Sequence, residues 1–307
     1  MIQQSYDMIV IGEGISGLTC ASHAARSGLR VATFESNLFG GLVLNVNELD
    51  GYPEDRETSG TDLASGLMQA NAEAGVTSVQ DEVTAIRPVG GAFEVTAAGG
   101  DAHGARQIVI ASGARLKKLG VPGEDEFEGR GVSHCADCDA PMFQNEDVMV
   151  VGGGDSALQE ALVLARFCRS VKLIHRSDRL RARLHLTGRA GADPKISITW
   201  NTTVEAILGG KMVEKVRIKG ASDGKTQEIA CAGVFAYIGL EPNTAFAPPS
   251  IARDVRGHLV TNDGFETSMA GVFAIGAVRA GYSGLLRDAA SEARKVAELA
   301  VKRLRLD

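Results

Sequence analysis

The sequence predicts an α/β protein of two Rossmann-like units, one inserted within the other. Three observations carry this reading. Strand-like and helix-like runs alternate around GEGISG, residues 12–17. The same strand–turn–helix–strand pattern returns about 140 residues later around GGGDSA, residues 152–157. The last 50 residues, an apolar strand and then a long helix, resume the pattern of the first unit.

Taken in order, YDMIVI (6–11) is a short β-rich run. Gly12, Gly14 and Gly17 follow, then the helical LTCASHAARSG and a second strand, LRVATFES, that ends at Glu35. A lone G-x-G-x-x-G is a weak signal. Here strand, helix and an acid 23 residues after the first glycine are all in place, which makes a strong dinucleotide signal. The glycines allow a tight turn and bring a pyrophosphate close to the helix N-terminus, where backbone N–H groups favour anions. Glu35 would accept hydrogen bonds from a ribose diol. Residues 39–55 read as a loop, and 60–75 as a helix capped by Thr61 or Asp62. Short strands follow in VTSVQDEVTAIRPV, AFEVTAAG and RQIVIASG, with 90–92 and 98–104 as turns. Gly113 closes the last strand. The polar LKKLGVPGEDEFEG (116–129) is a connector and marks a domain boundary.

DVMVV (147–151) opens the second unit. Gly152 and Gly154 begin its turn, and Ala157 stands at the third glycine position, where a small residue suffices for helix–strand packing. The next strand, SVKLIHRS, reaches His175, again 23 residues after the first glycine. The ribose-reading position differs between the copies: an acid in the first, His175 and Arg176 in the second, with Arg179, Arg181 and Arg183 close behind. An acid suits the free diol of FAD or NAD; basic groups suit the 2′-phosphate of NADP. Three or more strand-like runs complete this unit before HLVTNDGFETSMAGVFAIGA and the closing helix LLRDAASEARKVAELAVKRL. Trp200 and Cys20 read as packing residues.

The most reactive-looking stretch is SHCADCDAPMF (133–143), with Cys135 and Cys138 at redox spacing and Asp139 beside them. A Cys-x-x-Cys pair tends to hold one thiol at lowered pKa, which supplies the thiolate that attacks a disulfide. Asp139 is placed to hold or deliver a proton. Half a zinc site and a pair of inert buried thiols are the competing readings. No second Cys-x-x-Cys exists, Cys20, Cys168 and Cys231 are scattered, and the polar Ala-Asp insert beside His134 argues against a dry core.

Composition bounds the rest. The 307 residues suffice for about two domains. A net charge of −6 gives no electrostatic footprint for nucleic acid or an anionic membrane. The N-terminus has no signal-peptide pattern, and no run of about 18 apolar residues exists to span a membrane. Five cysteines, two of them at redox spacing, fit a reducing cytoplasm.

Nearly the whole chain resembles the low-molecular-weight thioredoxin reductases. The matching segments are GEGISG, GVSHCADCDAPMF, VVGGGDSALQEA, HRSDRLRA, YIGLEPN and ETSMAGVFAIGAV, in family order and spacing. CDAPMF is also similar to the flavoprotein component of alkyl hydroperoxide reductase. The resemblance implies a fold of the three-layer ββα type. It has a discontinuous FAD domain (1–114 and 246–307) with an inserted NADPH domain (115–245) that carries the dithiol. It implies a homodimer and electron flow from NADPH through FAD to Cys135–Cys138, then to a thioredoxin-like partner. Cys138 would face the flavin, Cys135 attack the partner, and Asp139 serve as acid. The FAD contacts carried over are Gly12, Gly14, Ile15, Ser16, Gly17 and Glu35; then Gly41, Leu42 and Asn45; then Ala111, Gly113, Gly276, Ala277 and Leu285. The NADPH contacts are Gly152, Gly154, Asp155, Ser156, His175, Arg176 and Arg181.

Several positions depart from the family pattern. Ala277 stands where an Asp usually contacts the ribityl chain. Gly284-Leu285 replaces an Arg-Gln pair near the flavin ring, and Leu42 replaces a Gln. Ser112 and Ser177 replace a Thr and an Arg. The loss of three polar flavin contacts predicts weakened FAD retention. It also keeps two alternatives in play: a specialised relative, such as a dithiol oxidase using oxygen or a reductase of another partner, and a flavin-poor, non-catalytic relative.

Overall fold

A computed structural model describes residues 2–49, 52–53 and 57–305. The chain forms two compact units, Met1–Arg115 with Glu241–Asp307, and Leu116–Leu240. Residues 241–245, expected in the inserted unit, lie with the first. Asn243 ties them there: its Nδ2 donates to the Ser112 carbonyl at 2.9 Å, and its N–H donates to the Gly113 carbonyl at 3.1 Å.

In the first unit the parallel strands run Thr77–Val79, Val31–Phe34, Ile2–Ile11, Ala102–Ile110. The outer edge of Ala102–Ile110 is shared. Its first half pairs antiparallel with Ala92–Ala97, and its second half pairs parallel with Val272–Ala274. The first strand begins at Ile2 rather than residue 6, because its early residues pair with Ala102–Gly104, a stretch the sequence suggested as turn. Period-2 alternation sorts the core into two layers. Met8, Val10 and Val109 pack with Cys20, Ala24, Val296 and Ala300 of the helices Ile15–Arg26 and Leu286–Leu304. Ile9, Ile11 and Ile108 face Phe93 and Val95 of the antiparallel strands on the opposite side.

The expected loop after residue 39 holds a short 3₁₀ helix, Gly41–Asn45; residues 50–51 and 54–55 of it lie outside the described ones. The helix Gly60–Glu73 is capped by Ser59, whose Oγ accepts the Asp62 N–H, so Thr61 and Asp62 lie inside it.

The second unit repeats the layering. Its parallel sheet runs Ile196–Thr199, Ser170–Ile174, Asp147–Gly152, Gly233–Tyr237, Val132–Ser133. Val148 and Val150 face Leu158 and Leu164 of the helix Asp155–Ala165. Met149 and Val151 face Val216 and Ile218 of a three-stranded antiparallel sheet. Leu119, Val121 and Phe127 of the polar connector join that second core, so the segment is part of the unit rather than a linker. A helix over Leu184–Ala192 went unpredicted, because Gly188 and Gly191 interrupt its pattern. Trp200 is not a core residue: it is 40% exposed and meets the His175 ring edge-on.

Candidate active site

In the first unit the residues expected to hold a dinucleotide converge on one helix N-terminus. Gly12 has φ +104°, and a Cβ there would lie 2.4 Å from the Ala111 carbonyl oxygen. A Cβ on Gly17 would lie 1.9 Å from the Gly12 oxygen. Both positions therefore require glycine. Gly14 caps the helix with no side-chain hydrogen bond, which leaves the N–H groups of Ile15, Ser16 and Gly17 open toward an anion. Gly41 and Gly276 close in beside them: Gly41 is adjacent to the Gly14 Cα, and a Cβ on Gly276 would meet Ser16 Oγ at 2.4 Å. Glu35 accepts the Glu13 N–H on one oxygen and the Asn37 N–H on the other, at 3.0 Å each. Those bonds fix its carboxylate, and its remaining lone pairs can take a ribose diol.

The second unit repeats the turn. Gly152 has φ +155°, and a Cβ would meet the Tyr237 oxygen at 2.4 Å and the Ala157 Cβ at 2.8 Å. A cleft of about 560 Å³ opens here, walled by Gly152, Gly154, Ser156, Arg176 and Arg181. The Arg181 N–H donates to the Gly153 carbonyl at 2.8 Å, which seats this arginine at the turn. Arg176 and Arg181 are exposed, and no carboxylate among the described residues pairs with either. Arg183 is taken: its Nε donates to Asp155 at 2.6 Å. Asp155 is thereby turned to an internal partner. His175 also lies deeper than its motif position suggests. It is 6% exposed, its Nε2 is 2.9 Å from the Arg179 carbonyl and 2.8 Å from Ser177 Oγ, and it packs under Gly153. It holds the turn, while Arg176 and Arg181 present charge to the cleft.

Cys135 and Cys138 form a disulfide at the start of the one-turn helix Ala136–Asp139. The Cys138 N–H points at Cys135 Sγ at 3.1 Å, and the Asp139 N–H donates to the Cys135 carbonyl. Within this unit Cys138 is exposed and Cys135 half-buried. The other thiols are buried, and desolvation pushes Cys20 and Cys231 up to about 12 and Cys168 up to about 11. They stay protonated at neutral pH, which leaves the disulfide pair as the reactive sulfur.

Residues 6–297 match the family model described as pyridine nucleotide-disulphide oxidoreductase. The chain is 41% identical over 280 residues to the thioredoxin reductase of Treponema pallidum, covering 91% of each. It is 40% identical over 284 residues to that of Listeria innocua, covering 91% of this chain and 87% of the other. The chain belongs to the low-molecular-weight thioredoxin reductases. Among solved structures, the thioredoxin reductase of Lactococcus lactis superposes with a TM-score of 0.93 at 34% identity. The match covers 98% of this chain and 100% of that one.

As a thioredoxin reductase this chain departs from the family pattern at one end of the first unit. Leu42 is 39% exposed on the 3₁₀ turn beside Gly41. Ala277 is half-buried in the short turn Gly276–Val278. Leu285 caps the terminal helix, next to Leu286, which packs with Ile15 and Val43. Three supporting carboxylates escaped the sequence reading because their partners come from other elements and leave no spacing along the chain. Glu13 is buried and accepts from Thr33 and Ser78, both at 2.6 Å, beneath the first glycine turn. Glu292 accepts the Gly276 N–H at 2.9 Å and pairs with Arg279, which fixes the turn that carries Ala277. Glu160 accepts the Ala136 N–H inside the redox motif at 3.0 Å.

Proposed function

We propose that this chain is an NADPH-dependent, FAD-containing reductase of a thioredoxin-like protein disulfide. The observation that carries it is the Cys135–Cys138 disulfide, held on the unit whose glycine turn faces two unpaired arginines. The first unit binds FAD: Gly12, Gly14 and Gly17 cradle the pyrophosphate, and Glu35 takes the ribose diol. The inserted unit binds NADPH, with Gly152 and Gly154 at the pyrophosphate and Arg176 and Arg181 at the 2′-phosphate. Bound FAD supplies the two-electron relay between nicotinamide and sulfur. Cys138 would exchange electrons with the flavin and Cys135 would attack the partner disulfide. Asp139 holds the proton exchanged when the thiols open and close. Cys138 and the 73% exposed Met142 leave this end of the inserted unit open to a protein partner. The enzyme works as a homodimer in the cytoplasm. The buried free thiols Cys20, Cys168 and Cys231 suit a reducing compartment, and no described helix is long and apolar enough to cross a membrane. Turnover of NADPH with thioredoxin disulfide as acceptor tests the reading; activity with oxygen alone would replace it with a dithiol oxidase.

The flavin site supplies a separate prediction. With Leu42, Ala277 and Leu285 at polar family positions, purified protein is expected to retain FAD incompletely. Ala277→Asp adds an acceptor for the ribityl chain on a turn already fixed by Glu292. It should tighten FAD by roughly 5- to 150-fold, about 1–3 kcal/mol. Titration of apoprotein, followed by the quench of flavin fluorescence, measures this. Sub-nanomolar affinity in the unmodified chain would show that other groups replace the missing contacts.

A further inference from the structure

The redox turn carries a partner that the sequence motif does not contain. Glu160 lies on the helix Asp155–Ala165, and its Oε2 accepts the Ala136 N–H at 3.0 Å and the Tyr237 hydroxyl at 3.2 Å. Ala136 is wholly buried and follows Cys135 directly. The N–H aimed at Cys135 Sγ is that of Cys138, at 3.1 Å, while the Ala136 N–H goes to Glu160 and to the Tyr237 oxygen. Glu160 therefore binds the backbone directly after Cys135 and sets an ionisable group against the redox turn. We propose that Glu160 is a positioning residue for the Cys135–Cys138 pair, and that its ionisation sets how readily Cys135 becomes a thiolate.

The surroundings make this carboxyl a neutral-pH group. Burial pushes its pKa up to about 7, and Asp137 on the redox turn pushes in the same direction. The bonds from Ala136 and Tyr237 pull it down. Tyr237, from the neighbouring strand, is itself held far above its ordinary range by burial, so it remains a donor throughout. Below about 7 Glu160 is neutral and adds no like charge against the Cys135 thiolate. Above that value the carboxylate opposes thiolate formation. Reduction of the disulfide takes two electrons from the flavin and two protons onto sulfur; attack on a partner then releases the proton of Cys135. Glu160 governs that last release.

The inference rests on Cys135 being a working thiol, and the experiment reads thiol chemistry without any turnover. In the full-length Cys138→Ser protein, the rate of Cys135 alkylation by iodoacetamide is followed across pH 5–9. Two inflections are expected, one near 7 from Glu160 and one from the thiol. Glu160→Gln keeps an acceptor for Ala136 but removes the charge. It should delete the inflection near 7 and raise alkylation at pH 8 by roughly three- to tenfold. Tyr237→Phe leaves the Ala136 bond to Glu160 but removes the hydroxyl that donates to Glu160 and accepts from Ala136 at 3.1 Å, so the same inflection should move to higher pH. A Glu160→Gln profile that overlays its parent means the carboxylate is only a hydrogen-bond acceptor and overturns the proposal. An inflection unmoved in Tyr237→Phe assigns it to another group, with the same consequence. Failure of the reductase reading itself would appear separately, as absent NADPH turnover with thioredoxin in the unmodified protein while the Cys138→Ser thiol profile is as expected.

Discussion

Cys138→Ser is expected to abolish disulfide reduction, by a factor on the order of 10³ or more, while NADPH still bleaches the visible flavin band under nitrogen. The reason is the division of labour between the units. The nucleotide turns at Gly12 and Gly152 contain no sulfur and are untouched by the substitution. The exchange step needs two thiols, and none of the other three cysteines can stand in. Cys20, Cys168 and Cys231 are buried with thiols pushed to about 12, 11 and 12. A serine hydroxyl fits the site but forms no disulfide. Cys135→Ser should fail equally with a protein partner. Stopped-flow bleaching by NADPH, beside a thioredoxin reduction assay on the same sample, separates the two half-reactions. Full reductase activity in either variant would show that electrons take another route.

Cofactor choice carries the second large effect. NADPH is expected to outperform NADH by roughly 10²–10⁴ in kcat/KM, from two charge-assisted contacts worth about 1.5–3 kcal/mol each. The contacts are narrower than the basic cluster in the sequence suggests. Arg183 is committed to Asp155, and His175 is packed under Gly153 with Nε2 occupied. Arg176 and Arg181 remain on the wall of the cleft. Replacing both by Ala should bring the two cofactors to near parity, chiefly through loss of NADPH affinity. His175→Ala should act differently: it opens a void under the glycine turn and should weaken both cofactors together. Steady-state kinetics with each cofactor decides this, and equal KM values in the unmodified chain would remove the assignment.

Much of the chemistry was legible in residue order. Gly12, Gly17 and Gly152 follow from backbone sterics, and sterics are local. A turn that admits no Cβ can be read from the residue that lacks one. The spacing of Cys135 and Cys138 likewise fixes a small ring without reference to the rest of the chain.

What tertiary structure alone decided is the partner of each charge. The sequence offers His175, Arg176 and Arg181 as phosphate ligands from a basic cluster that also holds Arg179 and Arg183. The fold gives Arg183 to Asp155, 28 positions away, and folds His175 inward. Glu13, Glu292 and Glu160 look like surface acids in the sequence, yet each ends beneath a functional turn, bound to donors brought from other elements. Ionic and hydrogen-bond partnerships act over a few ångströms in space and leave no period or spacing along the chain. Chain order therefore named the groups that bend the backbone and carry the sulfur, while packing chose the acids that hold them in place.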